Sequence, residues 1–401
     1  MSLLRHGYVT APIIGALWAF TIAVSVGVVL SFSTGEAFRP SLPFSLIYGA
    51  LGGVAALHLS RWPLTGALTA LALVVGFIGI GPIATSNGAG GTVLAALLMG
   101  LLTGLPLAKI LGDLHTGALT RHEFEEAVIR FLTGFGYIFF TAIVGIPFYV
   151  MVMTSLKSQQ ALLQNPLDFT LELSKGWDLF RSYVELFRDF NFGSYLWTSF
   201  VVSVMTVAIT LAFSVPGAYA VARLRFRGQA MMGRSILLIY MVPMIVLALP
   251  IYIAYSMTGL RNSILGIILI YPVTTIPVAL YMLQGYFRGL PAEIEEAGLM
   301  DGLSRLAVIW KITLPLSLPA LASVALYVFM IAWNEFLLAF MLLDDPSKFT
   351  LTRGVAMLNS SEIPRQHLMA GAVIATLPIM ALFLGLEKFM TRGLTAGAVK
   401  G

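Results

Sequence analysis

The sequence contains no cysteine and few charged residues. Among its 401 residues Cys is absent and charged side chains make up only 11%. The absence of Cys excludes disulfide frameworks, Cys-ligated zinc, iron–sulfur clusters and thiol catalysis. An average soluble domain has about 25% charged residues, so this chain has too few to cover a water-facing surface. With 58% hydrophobic residues and a mean hydropathy of +0.89, it is predicted to be an integral membrane protein.

Motifs for chemistry within the chain are also missing. No Gly-Lys dipeptide occurs, which excludes a Walker A phosphate loop, so any ATP must be bound by another chain. The five histidines are scattered and form no helix-face pair with a carboxylate, so metal-dependent hydrolysis is unsupported. We therefore expect no catalytic residue, no cofactor and no metal in this chain.

Long apolar runs predict an all-α polytopic membrane protein with about ten transmembrane helices. A helix needs about 20 mostly apolar residues to cross a bilayer. Eight runs without charge satisfy this: Ala11–Phe32, Pro63–Ile83, Phe131–Met153, Tyr195–Val221, Ser235–Leu260, Ser263–Phe287, Ile312–Asn334 and Leu368–Leu386. Two weaker runs, Leu42–Leu59 and Thr92–Leu111, complete the ten. The first run is too long for a signal-peptide core and lacks a cleavage site, so we interpret it as a retained helix.

The distribution of basic residues predicts the orientation. With ten spans and the N-terminus in the cytoplasm, 15 of the 24 Lys and Arg residues fall inside and 9 outside. This bias follows the positive-inside rule, and the basic loop 223–227 shows it most clearly. Both termini are therefore predicted to be cytoplasmic. The net charge of +5 is explained by these membrane anchors, so we expect no nucleic-acid partner.

The chain divides at one polar stretch. Residues 112–130 are predicted to be a cytoplasmic linker between a four-span N-terminal extension, 1–111, and a six-span core, 131–401. The extension has no recognisable function. Its pairs Gly49/Gly53 and Gly100/Gly104 have the spacing that lets helices approach closely, a pattern more common in ordinary packing than in dedicated dimer faces.

The cytoplasmic segment 285–311 is unusually long and patterned. Pro291 suits the first position of a helix, and acids follow it in the first turns, where they favour the helix dipole. Gly302 is suited to a left-handed stop, and Ser304 to the cap of a second short helix. Ala297 and Gly298 leave a small flank, so the first helix is suited to docking in a groove of a partner.

The same segment carries a family resemblance. Glu296-Ala297-Gly298, Asp301-Gly302 and Leu314-Pro315-Leu316 resemble the EAA motif of ABC-importer permeases, with Gly in place of the second Ala. The sequences 332–336 and 391–401 are similar to those of MalG-type permeases of carbohydrate importers. The resemblance covers roughly residues 130–401 and leaves the first four spans unmatched.

The resemblance implies a permease subunit of a binding-protein-dependent importer in the bacterial cytoplasmic (inner) membrane. Its partners would be a second related permease, a homodimeric ABC ATPase that holds ATP and Mg, an extracytoplasmic solute-binding protein, a sugar and the lipid bilayer. Two sets of residues would contact the ATPase. The first set is Glu296, Ala297, Gly298, Asp301, Gly302 and Pro315, and the second, in the cytoplasmic tail 388–401, is Gly393, Gly397, Lys400 and Gly401.

The substrate and the coupling mode leave alternatives. The resemblance points to a maltose-like di- or oligosaccharide, with a polyol or glycerol phosphate as the alternative. Asn334 and Glu335, at the outer end of the ninth span, are suited to bind a sugar or to cap the helix, and capping is favoured. An ion-coupled secondary transporter would need an ionisable group at membrane depth, yet Glu335 and Glu387 lie only near span ends.

Overall fold

The computed structural model describes residues 5–86, 88–165, 169–171 and 173–395. The chain packs into two compact units, Met1–Leu179 and Phe180–Gly401. Apart from one short strand pair, the regular structure described is helical, which confirms the all-α prediction.

The described residues of the first unit form six α-helices and a small strand pair. The helices are α1 Gly7–Thr34, α2 Leu42–Ala56, α3 Arg61–Ile78, α4 Gly88–Leu111, α5 Arg121–Ser155 and α6 Gln159–Gln164. The strands β1 Phe38–Pro40 and β2 Ile83–Thr85 pair antiparallel, between the loop after α1 and the loop after α3. This pair was not predicted from the sequence, because three-residue strands carry no periodic signal.

Glycines let the first four helices pack in close pairs. A Cβ atom on Gly49 would meet the carbonyl oxygen of Gly15, and one on Gly53 would meet that of Ala11, so α1 and α2 are in direct backbone contact. The pairs that join α3 and α4 in the same way are Gly100 with Thr69 and Gly104 with Thr65. Both small-residue motifs are therefore used inside the unit.

Helix α5 begins well before the apolar run that predicted it. Thr120 and Glu123 form a capping box at its start, in which each side chain satisfies a free backbone N–H of the other. The predicted linker 112–130 is thus loop as far as Thr120 and helix from Arg121 onward. Because α5 packs against α1 and α4, it belongs to the first unit, and the compact units divide after Leu179. The role of residues 1–111 as a separate extension stays a prediction.

The second unit holds twelve α-helices among its described residues, 180–395. They are α7 Arg181–Asp189, α8 Phe192–Arg223, α9 Gln229–Tyr240, α10 Met244–Thr258, α11 Ile264–Gly289, α12 Ala292–Met300, α13 Arg305–Val308, α14 Leu314–Leu316, α15 Leu318–Asn334, α16 Leu337–Leu342, α17 Leu351–Met357 and α18 Arg365–Thr395. A π-helical turn, Ile309–Thr313, joins α13 to α14. The long helices α8 and α11 pack together, and the Thr210 and Thr275 hydroxyls hydrogen-bond between them at 2.7 Å.

Two predicted spans are interrupted. The run Ser235–Leu260 forms α9 and α10, which are separated at Met241–Pro243. The run Ile312–Asn334 bends by 76° between Leu316 and Leu318. Proline explains both breaks, because it lacks an N–H and clashes with the preceding helical turn: Pro243 stands at the start of α10 and Pro319 in the first turn of α15.

Seven helices among the described residues are long and apolar enough to cross a membrane, or eight if the bent pair is one span. Two shorter apolar helices, Leu42–Ala56 and Met244–Thr258, coincide with further predicted spans. A membrane protein with several helical spans is therefore confirmed, while the total of ten stays a prediction.

Candidate functional site

Helix α12 is a short, well-delimited helix in the segment singled out from the sequence. Pro291 is its N-cap rather than its first helical residue, so the helix begins one position later than predicted. At the other end, the N–H of Gly302 bonds to the Leu299 carbonyl at 3.1 Å, and that of Leu303 to the Gly298 carbonyl at 3.1 Å. This pair of bonds is a Schellman motif. Gly302 has φ +85°, which confirms the predicted left-handed stop.

The two faces of α12 differ in exposure. Glu295 and Gly298, one turn apart, are buried, whereas Glu296 and Ala297 are exposed. Asp301 and Gly302, just after the helix, are also exposed. The predicted small flank of Ala297 and Gly298 is therefore not a single surface: Ala297 faces outward, and Gly298 lies against the chain itself.

Gly298 lets α12 lie close to the segment that leads back into the membrane. A Cβ atom at this position would come within 2.5 Å of Ile312 Cδ1 and 3.4 Å of Val308 Cγ2. The departure from Ala in the EAA pattern thus coincides with a close internal contact.

The buried carboxylate of Glu295 has three partners within the chain. The Tyr219 hydroxyl donates to Glu295 Oε2 at 3.1 Å, and the Thr313 hydroxyl donates to Glu295 Oε1 at 3.0 Å. Arg223 Nε lies 3.5 Å from the same Oε1. Sequence reasoning treated Glu295 only as a dipole-favouring acid, because its partners lie far away along the chain.

The stretch after α12 is capped and largely exposed on one side. The Ser304 hydroxyl accepts the Ala307 N–H at 3.3 Å, which confirms the predicted cap of α13. Pro315 lies exposed in the short helix α14. Three large apolar side chains stand out into the surroundings: Met300 is 87% exposed, Leu306 70% and Trp310 71%. The sequence analysis missed these three, although the i, i+4 spacing of Leu306 and Trp310 signals one helix face.

The side chains of Asn334 and Glu335 both form hydrogen bonds with the backbone at the junction of α15 and α16. Asn334 Nδ2 donates to the Met330 carbonyl of its own helix at 2.9 Å. The Glu335 carboxylate accepts the N–H groups of Leu338 at 2.9 Å and Ala339 at 3.2 Å, and so caps α16. These bonds support the structural role, and a contact with substrate stays a prediction.

The predicted tail contacts are only partly described. Gly393 lies in the last turns of α18, while Gly397, Lys400 and Gly401 lie outside the described residues. No group of three or more His, Cys, Asp and Glu that could hold a metal ion occurs among residues 5–86, 88–165, 169–171 and 173–395.

Comparison with known proteins identifies the family. A family model described as "Binding-protein-dependent transport system inner membrane component" matches residues 214–395, a range that contains α12 and its surroundings. The inner membrane ABC transporter permease protein YcjP of Escherichia coli is 38% identical over 270 residues, which are 66% of this chain and 95% of YcjP. The chain belongs to the ABC importer permeases.

A second relative places this permease among carbohydrate importers. The trehalose/maltose transport system permease protein MalG of Thermococcus litoralis is 34% identical over 284 residues, covering 69% of this chain and 99% of MalG. The carbohydrate-importer resemblance found in the sequence is thereby confirmed. Both relatives are permease subunits of transporters rather than enzymes.

A solved structure agrees on the fold. A bacterial ABC transporter involved in import of the acidic polysaccharide alginate aligns with a TM-score of 0.57 at 23% identity, over 68% of this chain and 99% of that chain. At this identity the likeness supports the permease fold alone. Like both relatives, it leaves about a third of the permease unmatched.

Proposed function

We propose that the permease forms half of the translocation path of a binding-protein-dependent importer for a maltose-like di- or oligosaccharide. A second related permease supplies the other half, a separate homodimeric ATPase binds ATP and Mg, and an extracytoplasmic binding protein delivers the sugar. Both termini lie in the cytoplasm of a bacterial cell, where α12 and the C-terminal tail meet the ATPase.

The exposed side of α12 carries this proposal. Glu296, Ala297 and Asp301 form a small acidic surface on a helix with a fixed end, and Met300 beside them is almost fully exposed. Methionine is enriched at protein–protein interfaces relative to the rest of a protein surface. The orientation predicted from the basic residues puts this surface on the cytoplasmic side, where an ATPase can reach it.

The names of the relatives support a sugar and leave its size open. One relative is named for trehalose and maltose, and the protein of the solved structure is involved in the import of an acidic polysaccharide. The former shares more sequence with this chain, so a neutral disaccharide or short oligosaccharide is our choice.

The test is purification of the tagged permease after co-expression with the products of neighbouring genes. We expect an ATPase to co-purify and its turnover to rise when a sugar-loaded binding protein is added. Asp301→Lys should prevent this co-purification without affecting membrane insertion. Glu362→Lys, which makes the same charge change in an exposed outer loop, is the matched control.

Two other outcomes would contradict the proposed function or the proposed substrate. A permease that purifies alone and moves solute on an ion gradient would be a secondary transporter. Stimulation by a polyol or by glycerol phosphate, with no response to di- and oligosaccharides, would replace the proposed sugar.

A further inference from the structure

Glu295 joins three parts of the cytoplasmic side of the second unit. Tyr219 and Arg223 come from the last turns of α8, and Thr313 is the last residue of the π-helical turn. Arg223 Nη2 also donates to the Leu290 carbonyl at 2.6 Å, at the junction of α11 and α12. The carboxylate on α12 is thus held by the end of α8 and by the segment that enters the bent span, and Arg223 links the same site to the end of α11.

The burial and the hydrogen bonds of this cluster keep its residues together. Glu295 is 9% exposed, and a buried carboxylate is tolerated only when it is paired and hydrogen-bonded. Removal of one partner leaves the other groups buried and unsatisfied, which costs more than the bonds contribute on average. Any displacement of α12 that separated Glu295 from Tyr219 and Thr313 would carry this cost in free energy. Movement of α12 together with the elements that hold these two residues is therefore favoured.

Gly298 adds a second point of contact on the same face. One turn beyond Glu295, it brings the backbone of α12 against the Ile312 side chain, one residue before Thr313. The inner face of α12 is therefore fixed at two successive turns. Its outer face, with Glu296 and Ala297, takes no part in this attachment.

The π-helical turn lies on the path through the chain by which a movement of α12 would reach the ninth span. Single π-helical turns occur frequently at functional sites, and this one connects α13 to the bent start of the ninth span. Thr313 closes it, and the Ser317 hydroxyl at the bend donates to the Thr313 carbonyl at 2.6 Å. Thr313 thus connects Glu295 to the bend through hydrogen bonds.

We propose that Glu295 is a positioning residue that makes α12 move as one body with the cytoplasmic end of α8 and the start of the bent span. The inference rests on the proposed function, since it assigns to Glu295 the transfer of ATPase movement into the membrane helices. The exposed residues of α12 bind the ATPase, and the buried carboxylate transmits the movement of the ATPase to the membrane helices.

The experiment measures sugar taken up per ATP hydrolysed by the assembled importer in vesicles. Glu295→Gln keeps the side-chain size and removes the charge that Arg223 faces, and Tyr219→Phe and Thr313→Val each remove one hydroxyl. Each variant should keep its co-purifying ATPase, and Glu295→Gln should lower the ratio about tenfold, as expected for lost bonds to a charged group. Glu362→Gln, the same change at an exposed loop residue outside this segment, is the control and should leave the ratio unchanged.

A double variant separates transmission from a general loss of stability. If Tyr219 acts through Glu295, Tyr219→Phe combined with Glu295→Gln should lower the ratio no further than Glu295→Gln alone. Unchanged ratios in Tyr219→Phe, Thr313→Val and Glu295→Gln would overturn the inference, and if Glu295→Gln does not fold the two hydroxyl variants decide. Failure of the proposed function has a different signature, because the unmodified permease would then bring down no ATPase.

Discussion

Gly302 offers a way to separate backbone conformation from docking. Its φ of +85° costs an L-residue about 1–2 kcal/mol. A Cβ atom there would meet nothing within 4 Å, so the cost is conformational and independent of side-chain size. Since 1.4 kcal/mol is about tenfold in an equilibrium constant, Gly302→Ala should lower the ratio of ordered to disordered turn roughly tenfold.

The assay compares Gly302→Ala, Gly302→Asn and Gly302→Leu in two states. In the permease alone, thermal unfolding should shift equally for Ala and Leu and less for Asn, which tolerates the left-handed region better. In titrations with the ATPase that co-purifies with the unmodified chain, Leu should bind much more weakly than Ala, because a partner then fills the open space.

Each comparison can refute one part of the reasoning. Equal ATPase binding by the Ala and Leu variants would mean that Gly302 does not face the ATPase, whatever the turn does. Different unfolding of these two variants in the permease alone would mean that the space around Gly302 is occupied by the chain itself.

Two further predictions concern contacts of the second unit. Gly298→Ala should be nearly neutral in thermal unfolding, because the Ile312 terminal methyl can turn away at about 0.5–1.5 kcal/mol and Ala favours the helix by about 1 kcal/mol; Gly298→Val should destabilise clearly. In α7, a hydrogen bond from Arg181 and then one from His367 lower the pKa of Glu185. The resulting stability is present above the ordinary carboxyl pKa and is lost as pH falls below about 4.5, so Glu185→Gln should reduce the acid sensitivity of the melting temperature.

Local signals in the sequence were sufficient for the C-terminal end of α12 and the start of α13. The left-handed Gly302 and the cap at Ser304 depend on a few neighbouring residues, so residue type and spacing determine them. The same holds for most spans, because 20 consecutive apolar residues are a strong local signal.

Features that depend on distant partners were not predictable. Tyr219 lies 76 residues before the carboxylate that it contacts, and no periodicity within α12 shows that its second acid is buried. The helix breaks at Met241–Pro243 and Ser317 could not be predicted from the sequence for a related reason. Proline is common within membrane helices, and whether a given Pro kinks a helix or ends it depends on the groups that take up the freed carbonyls.

The length of α5 has a mechanical consequence for the membrane. At 35 residues it is about 52 Å long, and a lone helix of this kind adjusts its tilt in a bilayer at modest cost. Here α1 contacts α5 at two levels. Trp18 packs edge-on against Phe131 near one end, and the Tyr149 hydroxyl donates to the Phe32 carbonyl near the other. A tilt of α5 must therefore carry α1 and the helices paired with it, so α5 moves in the lipid as part of a helix bundle rather than as a single helix.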